Sequence, residues 1–155
     1  MDSNFVLGLI AGEGCFSSNM TKNSHYSWGV CPRLAFHLGM GEREREMIEA
    51  VQQEISVGDI KDHQEGHVRL QVQRLDDKAA LIDYIEENCT PAFEKSSKFK
   101  AYDKWRDLFN DRDELIESEE GMKEFATRSC QINPDDGRRG RTAEEIHEII
   151  EASAD

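Results

Sequence analysis

The sequence predicts an α+β fold in which helices cover one face of a four-stranded antiparallel sheet, in the order α-β-β-α-β-β-α followed by further helices. Three observations predict it. Strict alternation over Trp28–Met40 sets Trp28, Val30, Pro32, Leu34, Phe36, Leu38 and Met40 against Gly29, Cys31, Arg33, Ala35, His37 and Gly39, the period of a half-buried strand. A second alternation puts Val68, Leu70 and Val72 inward and Arg69, Gln71 and Gln73 outward, after a turn near Gln64-Glu65-Gly66. Between the two, Met47, Ile48, Val51 and Ile55 form one stripe at helical spacing with a charged outer face.

Each element follows from local chemistry. Asp2, Ser3 and Asn4 are N-cap types ahead of an apolar run, so a short first helix is expected to end at Gly12. A strand at about Gly14–Thr21 pairs with the alternating strand, and Val57–Gln73 reads as the second hairpin. Helices are expected at about Asp76–Asn88, where Asp76-Asp77 suits the helix dipole, and at Ser97–Asn110. In the latter, Phe99, Tyr102, Trp105 and Phe109 make an aromatic stripe of core type. The tail holds an acidic run (Asp113–Glu120), a basic loop (Gly137-Arg138-Arg139-Gly140-Arg141) and a last helix with Ala143, Ile146 and Ile150 on one side. A core of residues 1–112 with a C-terminal helical extension, 113–155, is the expected organisation. Helices on one face leave the polar face of the sheet open to a partner.

Composition limits the partners. With 155 residues the chain makes one domain of ordinary size, and 19 Lys+Arg against 32 Asp+Glu give a net charge of −13. No apolar run reaches membrane-spanning length, and no export signal is visible. Four cysteines without C-x-x-C spacing fit reduced thiols in a cytosol. So acidic a surface suits a prokaryotic cytoplasm at high salt, where self-repulsion is screened within about 3 Å at 1 M; an ordinary acidic protein is the bland alternative. The charge is uneven: residues 1–41 are neutral, 42–90 carry −7, 91–112 carry +2 and 113–155 carry −8. The acid is concentrated on predicted helices, so one surface can still accept a polyanion.

Familiar catalytic signatures are missing: the sequence has no P-loop, GxGxxG, GxSxG or HExxH. His63 and His67 straddle a turn and make a poor metal pair, and Cys15 and Cys31 read as buried thiols. The unusual stretch is Phe5-Val-Leu-Gly-Leu-Ile-Ala-Gly-Glu-Gly-Cys-Phe16. Gly8 and Gly12 strip one helical face of side chains at about 1 kcal/mol each against Ala, which calls for a packing reason. Glu13 then projects from the helix end towards the open face of the sheet.

These residues resemble the signature of the LAGLIDADG homing endonucleases in the form ending G-E-G-x-F. The likeness extends through Arg33–Leu38, the Ile55-x-Val57-Gly58-x-Ile60 turn, Pro91 before Lys98, and the basic loop leading into Thr142-Ala-Glu-Glu-Ile146. The motif occurs once, which resembles the homodimeric branch. The resemblance implies a site-specific double-strand DNA endonuclease with a DNA-binding saddle made of the four strands. Its dimer would form through Leu7, Gly8, Ala11 and Gly12. Glu13 would be catalytic and, with Gly12, metal-binding for Mg²⁺, and Lys98 would stabilise the scissile phosphate. Base contacts would come from Ser17, Asn19, Arg33, His37, Lys61, His63, Arg69, Gln71 and Gln73, with Asn23 and Tyr26 reaching out from the first hairpin loop. Arg138, Arg139 and Arg141 would clamp phosphate. Two positions depart from the pattern: Ala11 replaces the motif's first Asp, and Met40-Gly41 stands where a polar residue often orders water. A catalytically degenerate relative, an intron RNA maturase or DNA-binding regulator, is the alternative.

Overall fold

The computed structural model describes residues 1–134 and 140–154. Its elements are α1 (Ser3–Glu13), β1 (Gly14–Lys22), β2 (Val30–Gly41), a 3-10 turn (Glu42–Glu44), α2 (Arg45–Ile55), β3 (Asp59–Asp62), β4 (His67–Val72), α3 (Leu75–Asn88), α4 (Pro91–Glu94), α5 (Ser97–Leu115), α6 (Glu119–Gln131) and α7 (Ala143–Ala154). The strands form one four-stranded sheet in the order β1-β2-β4-β3, and β2–β4 and β3–β4 are antiparallel. None of the described helices is long and apolar enough to cross a membrane.

The chain divides into two compact units, Met1–Phe16 with Ala35–Lys100, and Ser17–Leu34 with Ala101–Asp155. In the first, Val6, Leu7 and Ile10 of α1 are buried with Phe36 and Leu38 of β2, Ile48 and Val51 of α2, Val68, Leu70 and Val72 of β4, and Leu81 and Ile85 of α3. Phe16 and Phe36 pack with ring centroids 4.9 Å apart. In the second, Tyr102 and Trp105 are fully buried with Phe125, Ala126 and Ile150. The Trp105 indole donates to the Ser17 carbonyl at 3.0 Å, and the Trp28 indole donates to the Ile116 carbonyl at 3.2 Å. Of the aromatic stripe of α5, Tyr102 and Trp105 are therefore core, whereas Phe99 and Phe109 are half-buried.

Several boundaries differ from the sequence expectation. Helix α1 includes Gly12 and ends at Glu13, where the Gly14 N–H caps the Ile10 carbonyl as the chain passes straight into β1. Helix α5 continues to Leu115, through the start of the acidic run, and α6 begins after Ser118, whose side chain accepts from the Gly121 N–H at 2.9 Å. Glu119 and Glu120 fall in the first turn of α6, where carboxylates face the positive end of the helix dipole.

Candidate active site

Three glycines of the α1 stretch have two different jobs. A Cβ at Gly14 would lie 2.7 Å from the Ile10 carbonyl oxygen and 2.9 Å from the Phe36 ring, so glycine is needed for the tight passage from helix to strand. A Cβ at Gly8 or Gly12 would meet nothing within 4 Å. These two lie on the exposed side of α1 with Phe5, whose ring is 47% exposed. Helix α1 is thus apolar on its buried side and presents Phe5 beside two bare glycines on its outer side, the mark of a helix that packs against something further. Beside it, Asn4, Leu7, Gly8 and Ala11 line a groove of about 350 Å³ with Thr90, Ala92 and Phe93. Of the expected interface residues, Leu7 is only 2% exposed and mainly fills its own core. Phe5, which the sequence reading passed over, offers far more surface; its helical spacing from Gly8 and Gly12 was the available signal.

Glu13 is the last residue of α1 and is exposed. A carboxylate at a helix C-terminus faces the negative end of the dipole, an arrangement that costs about 0.3–1 kcal/mol without a cation nearby. Lys98, in the first turn of α5, is half-buried, and its ammonium donates to the carbonyl of Gly14, the residue that follows Glu13. Residues far apart in sequence are thereby brought to one place. Among the described residues no group of three or more His, Cys, Asp or Glu side chains could hold a metal. The Glu13 carboxylate and the Gly12 carbonyl, adjacent at the end of α1, are hard oxygen donors of the kind divalent cations prefer.

The outward face of the sheet is polar. In the first unit, register aligns His37 with Gln71 and Asp59 in one row, and Gly39 with Arg69 and Lys61 in the next. The His63 ring accepts from an Arg69 terminal nitrogen at 2.9 Å, so its Nε2 carries no proton there. Arg69 Nε is buried with no hydrogen-bond partner among the described residues. Gln73 follows β4 and is exposed. Asp59 and His67 share this face and were not anticipated, although they have the same parity as Lys61 and Arg69.

In the second unit, Asn19, Tyr26 and Arg33 are exposed, and Asn23 caps the hairpin loop by accepting from the His25 N–H at 2.9 Å. Ser17 is 8% exposed, and with Asn19 and Arg141 it lines a cavity of about 680 Å³. Arg138 and Arg139 lie outside the described residues.

The description LAGLIDADG endonuclease belongs to the family whose model matches residues 6–109. The fold is similar to the archaeal intron-encoded homing endonuclease I-Vdi141I, solved with DNA, at a TM-score of 0.88 and 19% identity over 98% of this chain and 96% of that one. It is similar to the homing endonuclease I-TnaI at a TM-score of 0.80 and 17% identity, over 99% and 98% of the two chains. With the DNA-bound meganuclease I-CpaMI the TM-score is 0.81 at 19% identity, over 99% of this chain but 50% of that one. No protein of curated function matches the sequence. A family match that spans α1, the whole sheet and most of α5 leaves one conclusion: this chain belongs to the LAGLIDADG endonuclease family.

Proposed function

We propose that the chain is a site-specific double-strand DNA endonuclease that acts as a Mg²⁺-dependent homodimer. The observation that carries the proposal is the exposed face of α1, open at Gly8 and Gly12, on a helix that ends in Glu13 with Lys98 held at the next residue's carbonyl. Two copies meeting through this face about a two-fold axis bring both Glu13 carboxylates to the centre. The match to half of the longer I-CpaMI chain supports a two-copy assembly.

In the dimer, Glu13 and the Gly12 carbonyl of each copy would hold the divalent ion, which supplies positive charge for activating water and stabilising the leaving oxygen. Lys98, released from Gly14 when a phosphate arrives, places its ammonium on the scissile group and offsets charge that builds during in-line attack. Asn19 and Arg33, and separately His37, Lys61, Arg69, Gln71 and Gln73, present the donors and acceptors that distinguish base edges, Arg to guanine and Asn or Gln to adenine. Ser17, Asn23, Tyr26 and His63 support these contacts, and Arg138, Arg139 and Arg141 bind phosphate. We assign residues 1–112 as the nuclease core and 113–155 as the extension. A prokaryotic cytosol of high salt fits the charge of −13.

The test is cleavage of a randomised duplex library with Mg²⁺, followed by sequencing of the ends. Wild type is expected to cut one sequence on both strands, leaving short 3′ overhangs, and Glu13→Gln to bind that sequence without cutting it. Specific binding by wild type with no cleavage at any Mg²⁺ concentration favours the degenerate alternative, a maturase or regulator. Undiminished cleavage by Glu13→Gln removes the assignment.

A further inference from the structure

We propose that Cys31 is a positioning residue for Arg33: its sulfur holds the Arg33 Nε–H and, with the Tyr26 phenol, fixes the guanidinium that reads the edge of a guanine. The inference rests on the reading of the sheet's outward face as a DNA interface and adds a specificity-determining residue to it.

Cys31 and Arg33 are two apart on β2, so their side chains leave the same face. Arg33 Nε donates to Cys31 Sγ at 3.4 Å, and the Tyr26 phenol from the hairpin loop hydrogen-bonds both that sulfur and Arg33. Arg33 is exposed while Cys31 is 5% exposed, so the anchor is shielded and the reader is open. Burial pushes the Cys31 thiol up. Donation from Tyr26 and Arg33, with the charges of Arg33 and Arg112, outweighs burial and brings it below the ordinary thiol value.

The choice of sulfur has a chemical reason. A carboxylate at this place would take a guanidinium by two parallel N–H bonds and occupy the nitrogens needed for guanine O6 and N7. A single sulfur takes the Nε–H, and the Tyr26 phenol, which also hydrogen-bonds Arg33, braces the same group. Together they fix the plane of the fork before DNA arrives, so less rotamer freedom is lost on binding. This also explains a buried cysteine on an otherwise polar face.

The test compares wild type, Arg33→Ala, Cys31→Ala, Cys31→Ser and Tyr26→Phe as full chains, each selecting bound sequences from a randomised duplex library. Arg33→Ala is expected to lose a guanine preference at one base pair of each half-site. Cys31→Ala should weaken the preference at that same base pair about tenfold, within the range of one bidentate contact, and keep the preferences elsewhere; Cys31→Ser should recover part of it. A Cys31→Ala profile identical to wild type, or a loss spread evenly along the site, overturns the inference while the DNA reading stands. A wild-type chain that selects no sequence overturns both. A second measurement needs no DNA: the ultraviolet thiolate absorbance of wild type minus Cys31→Ser, followed against pH. It should titrate below an ordinary thiol and move up in Arg33→Ala; a titration unmoved by Arg33→Ala also overturns the inference.

Discussion

Replacing Gly8 and Gly12 together by Ala sets two physical terms against each other, and their sum reports whether the outer face of α1 is an interface. Within one chain the new Cβ atoms meet nothing within 4 Å. Helix propensity alone therefore predicts stabilisation of about 1 kcal/mol per substitution, about 2 kcal/mol for the pair. For a domain of this size that raises Tm by about 4–8 °C. If two copies pack through this face, each methyl falls where backbones approach and is repeated across the two-fold axis. Overpacking costs about 1–3 kcal/mol per site, so four methyls cost about 4–12 kcal/mol of association. The gain in propensity is present in folded monomer and dimer alike and drops out of association, so even the lower figure weakens the dimer by nearly three decades, at about 1.4 kcal/mol per decade. The assay is sedimentation equilibrium at working salt together with thermal melts at several protein concentrations. The double variant is expected to give the 17.7 kDa monomer, still helical, with a Tm that no longer depends on concentration. A variant that melts higher and remains dimeric with undiminished affinity refutes the packing argument.

The other predictions follow from the same geometry. Gly14→Ala should destabilise the fold by about 1–3 kcal/mol in a denaturant titration, because its Cβ would fall 2.7 Å from the Ile10 carbonyl oxygen; a neutral result contradicts the division of labour among the three glycines. Lys98→Met should lower the single-turnover cleavage rate by about 10²–10³ with binding little changed, as for loss of one charge-stabilising donor, and an unchanged rate removes Lys98 from the site. Cleavage and circular dichroism across about 0.1–3 M KCl should show a fold that loosens at low salt and activity that persists at molar salt, because screening reaches contact range there. Each protein–phosphate contact adds about −0.9 to the log–log salt slope, whereas relief of repulsion from a −13 chain opposes it. A protein most stable and most active at the lowest salt contradicts the high-salt reading.

What the sequence made legible was set by periodicity. Alternation on β2 and β4 is maintained by burial on one face only, so Leu34, Phe36, Leu38, Val68, Leu70 and Val72 are buried as their parity requires. Parity does not reveal what covers a position from outside. Cys31 is on the outward side by alternation and is nevertheless only 5% exposed, with the Tyr26 phenol hydrogen-bonded to its sulfur. Helix α6 was hidden by the acidic run before it; its stripe of Met122, Phe125 and Ala126 was present, and its Ser118 cap is plain in hindsight. At the site, Glu13 was marked by its place between glycines, but its proximity to Lys98 depends on how α5 meets the end of α1. That is a long-range contact which local pattern does not encode. Leu7 was read as interface because it lies in the motif, whereas helical phase turns it inward and leaves Phe5 outside.

Mixed dimers offer the most direct test that two Glu13 carboxylates, one from each copy, cut one strand apiece. Wild type and Glu13→Gln chains carrying different tags are co-expressed, the heterodimer is isolated by both tags, and a supercoiled plasmid bearing the selected target is digested with Mg²⁺. Wild-type homodimer is expected to give linear plasmid, Glu13→Gln homodimer to leave it supercoiled, and the heterodimer to stop at the nicked circle. Linear product from the Glu13→Gln homodimer, or from the heterodimer at the wild-type rate, would contradict the account.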